Sequence, residues 1–124
     1  MANMESLDAG QAALSIFLFF VAGVFEIGGG WLVWKSIRST FSFWHCIAGC
    51  VALVVYGFLP TLQPMDDFGR IYAAYGGFFI IGSMAWGWLF DGFKPDAGDL
   101  LGSAIALSGA LIVVFWKREE EEER

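Results

Sequence analysis

One ionisable residue of this 124-residue chain lies deep inside an apolar run: Glu26, between Ala12 and Trp34. A charge at the centre of a membrane helix costs about 2.5–3.5 kcal/mol on translocon scales, so such a carboxyl needs compensation. One solution is a water-accessible cavity in which the carboxyl holds a proton near neutral pH and can release it, so that a cation competes with the proton. The other is a permanently protonated acid hydrogen-bonded to a neighbouring helix. Gly23, Gly29 and Gly30, at i−3, i+3 and i+4, leave the helix face around Glu26 without bulk. That face has room for a ligand or a closely packed helix.

A second candidate group opens the third apolar run, Gly69-Arg70-Ile71-Tyr72-Ala73-Ala74-Tyr75-Gly76-Gly77. Tyr72 and Tyr75 are i, i+3 neighbours, so their rings share a helix face, with the small Gly76 and Gly77 beside them. Aromatic faces attract organic cations, and phenol hydroxyls can reach a carboxylate; the same pair would also serve as an interfacial anchor. In the last run Gly102, Ala106 and Gly109 follow i, i+4, i+7 and form a stripe of small residues, read as a subunit contact.

Other chemistry is thinly supplied. His45 stands alone, and Cys46 and Cys50 are spaced i, i+4, which suits neither a disulfide nor a zinc site, so they read as helix-packing residues. There is no phosphate-binding glycine loop, no metal-ligand cluster, no nucleophile with a base and no basic nucleic-acid surface. The reading is therefore not an enzyme, with no metal, no cofactor and no nucleic-acid partner.

The elements that must position these residues follow from composition. The chain is 57% apolar, 18% aromatic and only 16% charged, and the charge is confined to short clusters between apolar runs. The runs are Ala12 to Trp34, Phe43 to Leu62, Ile71 to Phe90 and Leu100 to Trp116, each long enough, at about 17 to 23 residues, to cross a bilayer. They lack strand alternation and exceed barrel-strand length, which leaves helices. The expected fold is an all-α membrane protein of four transmembrane helices. An N-terminal extension occupies 1–11, the membrane domain 12–116, and a charged tail ending in Glu119 to Glu123, expected to be disordered, 117–124.

Lys35 and Arg38 are placed in the first loop, Pro64, Asp66 and Asp67 in the second, and Pro95 in the third, while Trp31, Trp34, Trp44, Trp88 and Trp116 near the run ends read as interfacial anchors. Lys35, Arg38 and Lys94 face one side of the membrane; Arg70, Lys117, Arg118 and Arg124 face the other. So even a distribution permits insertion in both orientations, and opposite copies can pair as an antiparallel homodimer.

The third-run motif, together with Phe90-Asp91-Gly92, resembles the YnfA family of small inner-membrane proteins, related to the small multidrug resistance transporters. The resemblance spans about Ile16 to Trp116. It implies that Glu26, followed three residues later by Gly29, binds proton and substrate in exchange. It implies further that Tyr72 belongs to the substrate box, with Tyr75 where the transporters carry tryptophan. Gly102 and Gly109 would be the dimerisation glycines of an antiparallel, dual-topology homodimer. The expected activity is proton-coupled efflux of small hydrophobic or quaternary ammonium cations across the inner membrane. A small cation channel, or an accessory membrane protein that transports nothing, remains an alternative.

Overall fold

A computed structural model describes residues 7–118. The expected acidic run at Glu119 to Glu123 and the first six positions of the N-terminal extension lie outside them. Among the described residues there are four α-helices and no strands: α1 (Ala9–Arg38), α2 (Phe43–Phe58), α3 (Phe68–Phe90) and α4 (Ala97–Phe115), with a 3-10 turn (Leu59–Leu62) after α2. All four, α2 taken with its 3-10 turn, are long and apolar enough to cross a membrane. The chain is an all-α, multi-pass membrane protein.

Several helices run further than the apolar runs do, each for a local reason. Asp8 caps α1: its carboxylate accepts the Gln11 N–H, and the Gln11 side chain accepts the Asp8 N–H, so the helix takes in residues 9–11 of the expected extension. The Asp96/Asp99 pair does the same for α4 three residues before its apolar run, and the backbone N–H of Asp99 holds the Asp96 carboxyl below its ordinary range. At the far end of α1, Lys35 and Arg38 are not loop residues. They form its last turn, where cations complement the exposed carbonyls. The second run splits after Phe58 because Pro60, which lacks an N–H, begins the 3-10 turn.

The helices pack as two hairpins, α1 with α2 and α3 with α4, joined where α1 meets α3. Lipid gives no hydrophobic drive to helix association, so close approach along small residues carries the packing. In the first hairpin a Cβ on Gly49 would lie 2.6 Å from the Gly29 carbonyl oxygen and 2.9 Å from Val33 Cγ2. In the second, Gly77 fits against Ala110, and its Cβ would also stand 3.1 Å from the Ala106 carbonyl oxygen. Gly29 and Gly77 are thus consumed by helix contacts, and the backbone of Ala106 borders α3 at Gly77. Gly102 and Gly109 face outward, with nothing within 4 Å of an added Cβ.

Candidate functional site

The α1–α3 seam carries the candidate site, and its contacts fix the levels of the two helices. Phe19 meets Tyr75 and Phe78, Gly23 meets Phe79, Ile27 meets Gly82, and Trp31 meets Trp86 and Phe90. Residue numbers rise together along both helices, so they are parallel. Glu26 lies level with Phe79 and Gly82. Tyr75, level with Phe19, is seven residues lower on α1, about 10 Å along the axis at 1.5 Å per residue.

Glu26 is partly buried. Among the described residues its carboxyl has no hydrogen bond or ion pair, so the hydrogen bond to a neighbouring helix that would make it a purely structural acid is not formed. Gly23 is in ordinary contact with Phe79, Gly29 is taken by α2, and Gly30 and Gly76 border open space.

The two predicted tyrosines do pair, with ring centroids 6.3 Å apart in a T-shaped arrangement, but their environments differ. Tyr72 is 38% exposed and stacks on Phe68; Tyr75 is 1% exposed, inside the core beside Phe19. Neither hydroxyl bonds Glu26. The residue that links the levels is Tyr56 on α2, within electrostatic reach of Glu26, Tyr72 and Tyr75, its ring 5.6 Å from Phe79 and 6.2 Å from Tyr75. The sequence reading missed it, although it is the remaining one of only three tyrosines and falls inside an apolar run.

Each end of the seam is closed by a polar knot. At the Phe19 end, the Ser15 hydroxyl donates to Gln63 Oε1 at 2.6 Å, and Gln63 Nε2 donates to the Tyr75 hydroxyl at 2.9 Å and to the Ser15 carbonyl at 3.3 Å. All three residues are buried. At the other end the Trp31 indole N–H donates to Asp91 Oδ2 at 3.0 Å, a bond exposed to solvent. Lys35 Nζ sits 2.9 Å from Asp91 Oδ1 and 5.9 Å from the Trp31 ring centroid. Lys35, and then the Trp31 indole, hold the Asp91 carboxyl below its ordinary range. Gly92, in the left-handed region at φ 68°, turns the chain so that Phe93 N–H returns to the Gly87 carbonyl and Asp91 stays at the helix end. The Trp86 indole N–H, in the same cluster, is buried without an acceptor among the described residues.

Trp34, Trp44, Trp88 and Trp116 are exposed, as interfacial anchors would be. Cys46 is partly buried and Cys50 exposed, so Cys50 does not pack between helices. The His45 ring meets Ser42 Oγ at 2.9 Å beside the start of α2. Among the described residues no group of His, Cys, Asp and Glu is placed to hold a metal ion.

Four helices long and apolar enough to cross a membrane, the first carrying the partly buried Glu26, define a small multi-pass membrane protein. Residues 13–119 match the family described as "Uncharacterised BCR, YnfA/UPF0060 family", and the chain belongs to that family. Among curated relatives, a UPF0060 membrane protein of Herpetosiphon aurantiacus is 51% identical over 109 residues, covering 87% of this chain and 99% of its own. One from Arthrobacter sp. is 51% identical over 106 residues, covering 86% and 94%. One from Clostridium beijerinckii is 49% identical over 105 residues, covering 84% and 95%. No solved structure matches the chain.

Proposed function

We propose that the protein is a proton-coupled exporter of small hydrophobic or quaternary ammonium cations in the inner membrane, working as an antiparallel homodimer. The observation that carries this reading is Glu26: an acid within a membrane-crossing helix, without hydrogen bond or ion pair to any described residue. A carboxyl left unsatisfied at that depth is available to a mobile ligand. A proton neutralises it, and so does an organic cation; the two exclude each other, so that loading one releases the other, and exchange is coupled when the empty, charged carboxyl does not change faces. The rings of Tyr56, Tyr72 and Phe79 supply faces for the apolar part of such a cation.

A single chain leaves Tyr72 and Glu26 on different levels, and a second copy in the opposite orientation would bring another set of rings towards each carboxyl. The outward-facing Gly102 and Gly109 suit close approach of that copy. Rocking of one subunit against the other would then present the Glu26 pair to either side of the membrane.

The test is proton release in proteoliposomes on adding a quaternary ammonium cation, followed with an internal pH dye. The native protein is expected to give a cation-dependent signal and Glu26→Gln none. An equal signal from both forms overturns the assignment of Glu26, and no signal from the native protein across a panel of such cations overturns the exporter.

A further inference from the structure

The cluster at the Trp31 end sets three aromatic rings beside one carboxylate, and the Lys35 ammonium stands between that carboxylate and the Trp31 ring. Trp31, Trp86 and Phe90 are mutually in contact, with centroids 5.9 Å apart for Trp31–Trp86 and Trp31–Phe90 and 4.7 Å for Trp86–Phe90. Asp91 adds a carboxylate at their edge, one oxygen fixed by the Trp31 indole and the other on the Lys35 ammonium. Aromatic faces with one carboxylate are the donor set that binds organic ammonium ions. The Lys35 and Asp91 side chains are 25% and 31% exposed, so the ion pair is reachable from water and exchanges with solvent at little cost.

We infer that Asp91, with Trp31, Trp86 and Phe90, is a second, peripheral site for small hydrophobic or quaternary ammonium cations, which Lys35 occupies as a tethered competitor. The inference rests on the proposed export function only for the class of ligand. Trp31 is five residues beyond Glu26 on the same helix, about 7.5 Å along its axis, so a cation held there stands one short step from the central carboxyl. The tether makes the site weak: a side chain fixed on a helix acts at an effective concentration of about a millimolar or more. Weak, displaceable binding at the rim allows a cation to be passed inward or let go outward instead of being trapped.

The experiment is equilibrium binding of tetraphenylphosphonium to the full chain in detergent, in a Glu26→Gln background that removes the central site. Adding Lys35→Met is expected to tighten binding at least tenfold, and adding Asp91→Asn to that double variant to abolish the gain. Unchanged affinity on Lys35→Met, or a gain that survives Asp91→Asn, overturns the peripheral site. A measurement on the native chain covers the case in which these variants fold poorly. Saturating tetraphenylphosphonium should accelerate amine acetylation of Lys35 severalfold relative to Lys94 and Lys117, read by mass spectrometry, and an unchanged rate overturns the displacement. The export reading fails separately, when native protein and Glu26→Gln release protons alike.

Discussion

At the Ser15 end of the α1–α3 seam the polar groups are uncharged, buried and bonded to one another, whereas at the Trp31 end they are charged, partly exposed and set among aromatic rings. Parting the first knot would strip Ser15, Gln63 and Tyr75 of partners where water does not reach, and an orphaned buried group costs about 1–3 kcal/mol. Parting the second exchanges an accessible ion pair for water, and Trp86 already lacks an acceptor there. The contrast makes the Trp31 end the less costly end of the seam to part and the Ser15 end the more costly. Glu26 lies nearer the less costly end, five residues from Trp31 and eleven from Ser15 on α1.

The sharpest way to break this comparison is Gln63→Leu. It removes the acceptor of Ser15 and the donor to Tyr75 together, and should lower stability by about 2 kcal/mol in unfolding titrations of the detergent-solubilised protein. A change within about 0.5 kcal/mol of the native value would mean that water or lipid satisfies those groups and that the Ser15 end is no harder to part than the other. Ser15→Ala is the milder form. It deletes one donor, leaving Gln63 bonded to Tyr75 and to the Ser15 carbonyl, so about 1 kcal/mol is expected in the same titration. If the two substitutions cost the same, the hydroxyl of Ser15 is the whole of the knot.

What a reader of the sequence can see of this arrangement depends on whether a residue acts along its own helix or across to another. The four spans were legible from uninterrupted apolar runs, and Glu26 from being the one acid well inside them. Helix ends were less so, because they are set by short polar exchanges such as Asp8 with Gln11, which extend α1 beyond its apolar part. Lys35 read as a loop residue because charge usually marks a break, yet its backbone continues the helix while its ammonium reaches Asp91. Trp31 looked like any span-end tryptophan, and only the structure shows its hydrogen bond to Asp91, 60 positions away. Gln63 was the hardest: a single amide between Leu62 and Pro64 carries no periodicity, and its importance lies wholly in reaching Ser15, 48 residues before it. Tyr75 was placed in the candidate site by spacing and in the core by that same amide.

The smallest expected effect tests the charged end. Asp91 is held below its ordinary value of 3.8, first by the Lys35 ammonium and then by the Trp31 indole. Because the folded chain prefers the carboxylate more strongly than the unfolded chain does, the ion pair stabilises fully above the unfolded value and loses its contribution as pH falls through the depressed folded value. The melting temperature of native protein should therefore exceed that of Asp91→Asn by a small, constant margin above about pH 5, and the two should converge as the pH drops below 3.8. Raising ionic strength at neutral pH should narrow the same margin, since the pair is partly exposed to solvent. The Gln63→Leu deficit, by contrast, involves no charge and should be independent of both. A margin for Asp91→Asn that persists in acid and in high salt would show that geometry, through the Trp31 hydrogen bond, holds this end shut. The two ends would then differ in exposure alone.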